Sequence, residues 1–199
     1  MPKLIDYYFA PMSPWSYLGH DRLASIAYKH GAQINVKPVD FGKIFPASGG
    51  LPLAKRAPQR QKYRLAELAR WKKHLGLPLT IQPKHFPYDA NAASLLITAA
   101  AMELGDEAAM NLASAIFKGC WVEERNMANA DELLKVVESQ GYDAAALTSA
   151  ARSDEAAARF LAYTEEALQR DVFGAPTYAY DDELFWGQDR LDFLERALA

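Results

Sequence analysis

The order of strand-like and helix-like segments is the feature of this sequence that most constrains its fold. Alternating apolar residues followed by an aromatic run over residues 3–10 predict a buried strand. Apolar residues at helical spacing predict a helix over residues 16–30, and a second strand is predicted over residues 34–41. A strand, a helix and a strand with short connections form a unit that requires a right-handed crossover and a parallel strand pair. The chain therefore opens as an α/β domain.

The middle of the chain, over residues 58–170, is rich in alanine and leucine at helical spacing. Turn and capping residues divide this stretch into separate helices. The predicted helices span residues 59–75, 91–104, 107–121, 131–140 and 155–170.

The strand pattern returns at residues 177–180 and 184–186, which form a predicted hairpin before a last helix over residues 189–198. This is the element order of a thioredoxin-like domain interrupted by an all-helical insertion. We therefore predict an α/β fold with two domains. The thioredoxin-like domain comprises residues 1–50 and 171–199, and the helical insertion domain comprises residues 51–170.

Composition and charge exclude several classes of protein. The chain has 199 residues, a formal net charge of -3 and no basic run longer than Lys72-Lys73, so it lacks the positive surface that a nucleic-acid binder needs. No segment reaches the roughly 18 apolar residues of a membrane span, and the first residues lack the apolar core of a signal peptide. We expect a cytoplasmic protein that acts on a small molecule. The four histidines show no metal-ligand spacing, so no metal is predicted.

The cysteine count excludes dithiol chemistry within the chain. Cys120 is the single cysteine, so the sequence holds neither an internal disulfide nor a Cys-x-x-Cys pair. We expect Cys120 to be a buried helical residue rather than a catalytic thiol, because free cysteine is among the most buried residue types and no polarising partner adjoins it.

The first candidate site, Ser13-Pro14-Trp15-Ser16, lies where the first strand gives way to the first helix, and open α/β sheets bind ligands at such strand ends. Ser13 followed by Pro14 is typical of a helix N-cap with proline at the first helical position. Free N–H groups and the positive end of the helix dipole then meet near the Ser13 hydroxyl, where an anion such as a thiolate is stabilised. The alternative is a cap with a purely structural role.

The second motif, Gly174-Ala175-Pro176-Thr177, immediately precedes the third predicted strand. A proline entering a strand is confined to its first residue, an edge or a bulge. In the thioredoxin superfamily the proline at this place is cis and faces the start of the first helix, and the residue before it pairs with a bound thiol peptide. Ala175 would take that role here. We predict a cis Ala175–Pro176 bond, against the alternative of an ordinary trans turn proline.

The third motif, Trp186-Gly187-Gln188-Asp189-Arg190, opens the last predicted helix. Asp189 is either the N-cap of that helix or a carboxylate that binds an ammonium group while nearby N–H groups bind a carboxylate, and both roles can coexist. The γ-glutamyl end of glutathione carries an ammonium and a carboxylate side by side. An acidic helix start is therefore a chemically complete receptor for it.

These three motifs, together with residues 70–71 and 76–79, resemble the 2-hydroxychromene-2-carboxylate isomerase family over nearly the whole chain. That family is similar to kappa-class glutathione transferases and to DsbA-like disulfide oxidoreductases, which are thioredoxin folds with a helical insertion. Ser13 occupies the position of the first cysteine of the oxidoreductase Cys-x-x-Cys motif. This serine marks the branch that uses glutathione.

The resemblance implies glutathione as the cofactor, with Ser13 as the catalytic residue that holds its thiolate. The residues implied to bind glutathione are Ser13, Ala175, Trp186, Gly187, Gln188 and Asp189. In the implied mechanism the thiolate adds to a conjugated carbon, rotation about the resulting single bond becomes easy, and loss of glutathione restores the double bond in the other geometry. The family product is trans-o-hydroxybenzylidenepyruvate, formed during breakdown of naphthalene-type aromatics. Dimers are usual in the similar families, so a homodimer is expected.

The substrate side departs from the family pattern. Lys55 lies where a basic residue meets the substrate carboxylate, but Ala54 beside it lacks the expected amide side chain. Phe86 stands in place of a tyrosine, and loss of a hydroxyl that binds substrate can lower discrimination by orders of magnitude. A solvated lysine and a core aromatic are the alternatives for these two residues. For the whole chain, a kappa-type glutathione transferase and a catalytically silent thioredoxin-like binding protein stay open.

Overall fold

The computed structural model of the protein describes residues 2–199, which form a sheet with helices packed on both faces. The strands are β1 (Leu4–Phe9), β2 (Gln33–Pro38), β3 (Thr177–Tyr180) and β4 (Glu183–Trp186). The α-helices are α1 (Pro14–His30), α2 (Phe41–Ser48), α3 (Pro58–Leu75), α4 (Asn91–Leu104), α5 (Asp106–Trp121), α6 (Ala130–Ser139), α7 (Ala144–Ala151), α8 (Asp154–Gln169) and α9 (Leu191–Ala197). Short 3-10 turns lie at Leu53–Lys55 and Gln188–Arg190.

The sheet has the strand order β2-β1-β3-β4. β1 and β2 are parallel and joined by α1, which confirms the predicted strand-helix-strand unit, whereas β3 pairs in antiparallel fashion with both β1 and β4. Tyr8 of β1 lies opposite Thr177 of β3. The end of β1 that leads to Ser13 therefore lies beside the residues that precede β3, and the sheet brings the first two motifs together.

Two predicted elements differ from the structure, and two helices, α2 and α7, were missed. The second strand ends at Pro38 rather than at residue 41, because the Asp40 carboxylate caps α2 by accepting a hydrogen bond from the Gly42 N–H at 2.8 Å. Both missed helices have eight residues, which are too few to show a clear period. The cap of α7 is Asp143, which accepts from the Ala146 N–H at 2.9 Å. The last predicted helix opens with a 3-10 turn before α9.

Alternate residues of β1 face the two halves of the core. Ile5, Tyr7 and Phe9 are fully buried in the larger cluster, which also contains residues of α1, α4 and α5. Tyr8 points to the opposite face and is buried in the smaller cluster with residues of α2 and α8. Because the larger cluster joins the sheet to the helical stretch, the division into two domains at the predicted boundaries stays a prediction.

A charge network ties β1 and β2 to α8. The Lys37 ammonium is almost fully buried and lies 2.7 Å from both Asp6 Oδ1 and Glu166 Oε1. Arg170 donates to Asp6 at 2.7 Å, and the Tyr8 hydroxyl donates to Glu166 at 2.6 Å. Burial alone would raise the pKa of Asp6, but the hydrogen bond from Lys37 contributes to a net lowering of that pKa. Because these charges pair with one another, they fix the position of the end of α8 relative to β1 and β2.

Candidate active site

Helix α1 begins with Ser13 as the N-cap and Pro14 at the first helical position, which confirms the prediction from the sequence. The Ser13 Oγ accepts a hydrogen bond from the Ser16 N–H at 3.2 Å. Pro14 has no N–H, so the first N–H group of the helix belongs to Trp15. That N–H has no acceptor within the helix. The cap uses a lone pair of Ser13 and leaves its hydroxyl hydrogen free. The same hydroxyl can therefore cap the helix and donate to an anion.

The Ala175–Pro176 peptide bond is cis, as predicted. Neither the N–H nor the C=O of Ala175 pairs with another backbone group in the described part of the chain. An extended peptide can therefore add to this backbone as a strand does. The Pro176 carbonyl accepts a hydrogen bond from the Gly187 N–H at 2.8 Å, which joins the second motif to the third.

Trp186 forms a wall beside Ala175. Its ring centroid lies 4.6 Å from that of Phe173, and 51% of the residue is exposed. The indole lies against Gly174, where an added Cβ would be only 2.2 Å from the indole Nε1. Only glycine permits this approach, so Gly174 sets the position of Trp186.

Arg22 of α1 holds the third motif in place through hydrogen bonds to Gln188. Its Nη1 donates to the Gln188 carbonyl at 3.1 Å and to the Gln188 Oε1 at 2.8 Å. Gly19 permits this approach, because a Cβ at that position would be 2.9 Å from the Gln188 Cβ. Gln188 is buried, and its side-chain oxygen is already engaged by Arg22. The contribution of Gln188 to ligand binding is thus restricted to its remaining groups.

The second and third motifs border an open pocket of about 210 Å³, which we term the tryptophan pocket. Its lining residues are Trp15, Glu67, Trp71, Ala175, Trp186, Gly187, Gln188, Asp189 and Arg190. Ala175 and the predicted residues of the third motif therefore lie in one place beside Trp15. Ser13 does not line the tryptophan pocket itself and precedes Trp15 by two residues at the start of α1.

Asp189 does not cap the last helix, so the N-cap alternative is wrong. Gly187 precedes the 3-10 turn that contains Asp189, and no side-chain cap bond is formed there. The Asp189 carboxylate instead pairs with the Arg190 guanidinium at 2.8 Å, and both side chains are about half exposed. An exposed pair of this kind is worth about 0–1 kcal/mol. The carboxylate can therefore exchange Arg190 for the ammonium group of a ligand.

Three residues that line the tryptophan pocket were not predicted as site residues from the sequence: Glu67, Trp71 and Arg190. Glu67 and Trp71 are four residues apart on α3 and share a helical face, which was the available signal. A hydrogen bond from Arg70 holds the pKa of the Glu67 carboxyl below its ordinary value, so Glu67 brings a negative charge to the pocket. In isolation, Glu67 resembles a solvated acid and Trp71 a core aromatic.

The two predicted substrate-binding residues lie outside the lining of the tryptophan pocket. Lys55 ends a 3-10 turn and is exposed. Phe86 is half-buried, with its ring centroid 4.8 Å from that of Trp121. Their roles toward a substrate stay predictions.

Cys120 and His20 are neutral because they are buried. Burial raises the pKa of the Cys120 thiol to about 12, and the residue lies inside α5 as expected. Burial lowers the pKa of His20 to about 4. The His20 Nε2–H donates to the Met110 carbonyl at 3.0 Å, and Nδ1 lies 3.3 Å from the Tyr7 hydroxyl, which donates to it. Neither group is available as a nucleophile or base at the surface.

Metal-ligand clusters and membrane-spanning helices are both absent from residues 2–199. No group of three or more histidine, cysteine, aspartate or glutamate side chains among them is arranged to hold a metal ion. No helix within this range has the length and apolar character needed to cross a membrane.

A Ser13-capped helix facing a cis-proline loop beside the tryptophan pocket defines the class of the protein. Residues 4–199 match the family described as DSBA-like thioredoxin domain, and the chain belongs to that family. Within it, the chain belongs among the 2-hydroxychromene-2-carboxylate isomerases, as its motifs predicted. It is 34% identical to the 2-hydroxychromene-2-carboxylate isomerase of Sphingobium xenophagum, over 100% of this chain and 99% of that protein.

Structural and more distant comparisons agree with this placement. The solved structure of a selenomethionine-labelled 2-hydroxychromene-2-carboxylate isomerase superposes with a TM-score of 0.85 and 28% identity, covering 98% of this chain and 94% of that chain. Glutathione S-transferase kappa 1 of Rattus norvegicus is 21% identical, over 97% of this chain and 89% of that protein. The chain thus has relatives that are named for glutathione use as well as relatives named as isomerases.

Proposed function

We propose that this protein is a glutathione-dependent cis-trans isomerase that converts 2-hydroxychromene-2-carboxylate, or a related intermediate of aromatic degradation, to trans-o-hydroxybenzylidenepyruvate. The observation that carries the proposal is the tryptophan pocket, which joins the unpaired backbone of Ala175 to the acidic Asp189 beside the start of α1. Full-length relatives that are named 2-hydroxychromene-2-carboxylate isomerases support the choice of reaction.

The chemistry of the lining residues fits glutathione. The cysteinyl backbone of the tripeptide would pair with the free N–H and C=O of Ala175. The γ-glutamyl ammonium would bind the Asp189 carboxylate, and its carboxylate would accept from the first N–H groups of the turn Gln188–Arg190, which have no partner within the turn. Trp15 and Trp186 would cover the apolar parts of the tripeptide.

Ser13 would keep the glutathione sulfur ionised. A hydrogen bond to a charged acceptor contributes about 1.5–3 kcal/mol, and the dipole of α1 adds about 0.3–1 kcal/mol near its first turn. Together these effects lower a thiol pKa by about 1.5–3 units from the ordinary value near 8.5. The sulfur is then between about half and almost fully thiolate at neutral pH.

Glutathione, when bound, supplies a nucleophilic sulfur that is regenerated in each turnover. The residues of the chain bind and orient the glutathione. Ser13 and the Trp15 N–H hold the negative charge, Ala175 and Asp189 orient the tripeptide, and the indole of Trp186 excludes water from one side. The buried Cys120 contributes no second nucleophile.

A matched pair of serine variants tests the proposal. Ser13 caps α1, and Ser153 caps α8 with its Oγ accepting from the Ala156 N–H at 3.1 Å, while the Ser153 hydroxyl also donates to the Ala150 carbonyl at 2.7 Å. Ser13→Ala and Ser153→Ala should each cost about 1 kcal/mol of unfolding free energy as lost caps. Calorimetric titration with reduced glutathione should show binding by the Ser153→Ala variant like that of the wild type. The Ser13→Ala variant should lose thiolate stabilisation, and its turnover should fall by about 10²-fold or more.

The outcome of this experiment separates the remaining functions. Conversion of 2-hydroxychromene-2-carboxylate at constant glutathione, followed by absorbance, is the result expected of the isomerase. Consumption of glutathione on an electrophile would favour the kappa-type transferase, which the similarity to the rat enzyme keeps as the second candidate. Absence of binding at millimolar glutathione would refute both and leave a silent thioredoxin-like binding protein.

We further propose that the protein works in the cytoplasm as a homodimer. A cytoplasmic location fits a glutathione-dependent reaction, because glutathione is the main thiol of reducing compartments. Light scattering on the purified chain would measure the mass directly. A monomeric mass at micromolar concentration would contradict the dimer.

A further inference from the structure

Three arginines recur at intervals of four residues around the start of α3: Arg56, Arg60 and Arg64. No carboxylate lies within 4.0 Å of any of the three guanidinium groups in the part of the chain that the structure describes. This concentration of unpaired positive charge stands out in a chain with a net charge of -3.

Arg64 is a half-buried member of this group whose guanidinium has no hydrogen-bond acceptor among the described residues; Arg56 is also half-buried, but its Nε donates to the Leu51 carbonyl at 2.7 Å. Arg60 is exposed. Burial first, and the neighbouring Arg56 second, lower the pKa of Arg64 to about 10, so the group still carries its full charge at neutral pH. A half-buried charge without a counter-charge is costly, which indicates that a ligand completes it.

The surroundings of Arg64 define the chemistry of that ligand. Its guanidinium lies 5.2 Å from the centre of the Phe86 ring, and Phe86 in turn packs on Trp121. Arg64 precedes Glu67 by three residues and Trp71 by seven, so it shares their face of α3. The rise along the helix places Arg64 about 10 Å before Trp71, next to the end of the tryptophan pocket. Aromatic surface and one cation therefore meet at the margin of the glutathione site.

We propose that Arg64 binds the carboxylate of the aromatic substrate while Phe86 contacts its ring. The inference rests on the proposed function for the identity of the reaction, but the ligand class follows from the side chains. A planar guanidinium binds a carboxylate through two parallel hydrogen bonds, which an ammonium group cannot reproduce. Arg64 thereby takes the role that the sequence pattern assigned to the exposed Lys55.

A structural role for Arg64 predicts a different set of measurements. If the guanidinium only packs on Phe86, Arg64→Gln should lower the melting temperature and leave the substrate KM unchanged. If it is a binding group without a counter-charge, removal of the charge should leave the melting temperature unchanged or raise it. The KM should then rise by about 10- to 100-fold, the factor expected for a lost hydrogen bond to a charged group.

The test uses Arg64→Gln beside Arg60→Gln, which removes the same charge from an exposed position on the same helix. The probes are chromone-2-carboxylate, a stable benzopyran with a carboxylate at the corresponding ring position, and chromone-2-carboxamide, its neutral analogue. The wild type and Arg60→Gln should bind the carboxylate at least about 10-fold more tightly than the amide, and Arg64→Gln should bind the two equally. Arg64→Lys should regain part of the preference, because it restores charge without the planar fork.

Separate readouts keep this inference distinct from the proposed function. Glutathione titration should give the same affinity for Arg64→Gln and wild type, and a failure of glutathione to bind either protein would refute the isomerase without touching the carboxylate preference. If Arg64→Gln still binds the carboxylate more tightly than the amide, the role of Arg64 is overturned. The same holds if Lys55→Gln, and not Arg64→Gln, abolishes that preference.

Discussion

Replacing Gly174 with alanine should move one wall of the tryptophan pocket without unfolding the protein. The new Cβ would lie 2.2 Å from the Trp186 Nε1 and 2.8 Å from its Cε2. Ordinary carbon contacts need about 3.5 Å, so the indole must retreat by about 1 Å or more. Because half of Trp186 is exposed, the ring can swing outward into solvent. The backbone at Gly174 therefore does not have to move.

The magnitude follows from what Trp186 touches. Loss of its contact with Phe173 costs about 0.5–1.5 kcal/mol of unfolding free energy, which lowers the melting temperature by a few degrees in a chain of this size. If glutathione covers about 60 Å² of the indole, losing that cover at about 25 cal/mol per Å² costs about 1.5 kcal/mol of binding free energy. Glutathione affinity should then fall about tenfold.

Calorimetric titration of Gly174→Ala, Trp186→Ala and the double variant with glutathione tests whether displacement of the indole causes the loss of affinity. The double variant should bind glutathione no more weakly than Trp186→Ala alone, because the displaced ring is already absent. Wild-type affinity in Gly174→Ala, or losses that add in the double variant, would refute the placement of Trp186 against Gly174 as a wall of the glutathione site.

Two further predictions concern stability. The pKa of His20 is about 4 in the folded chain against an ordinary 6.5, so the unfolded state binds more protons between these values. Unfolding free energy should be highest above pH 6.5 and should fall by about 3 kcal/mol as the pH drops to 4. Chemical denaturation should show this slope in the wild type and not in His20→Gln. Lys37→Met should cost about 1.5–3 kcal/mol, because Asp6 and Glu166 would lose their shared charged partner, while Arg170 still pairs with Asp6 and water reaches part of Glu166. A melting temperature within a degree of the wild type would contradict that loss.

Features set by a few neighbouring residues were predictable from the sequence. Ser13-Pro14 specifies a capped helix start through local hydrogen bonding, and the strand on either side of α1 follows from apolar alternation. Short helices escaped because one or two turns carry too little period, as in α7. The cap at Asp40 was visible in principle, but the apolar residues that follow it also suit the end of a strand.

Features that depend on how distant segments meet were not predictable. Arg22 reaches Gln188 across 166 positions of sequence, and no local pattern announces that contact. Glu67 and Trp71 belong to the tryptophan pocket only because α3 turns that face toward it. The sequence left two roles open for Asp189. In the structure, the turn that precedes α9 has no side-chain cap bond, so Asp189 is not an N-cap.

The charge network of Asp6, Lys37 and Glu166 has a consequence for how related sequences can diverge. Lys37 pairs with both carboxylates and Arg170 also pairs with Asp6, so a single neutral replacement leaves a neighbouring charge at this junction with fewer partners. Exchange of the set for apolar residues of similar volume would avoid that loss of partners. Positions 6, 37, 166 and 170 should therefore change together, and their co-variation across relatives would mark the same junction of sheet and helix in proteins whose pockets have diverged.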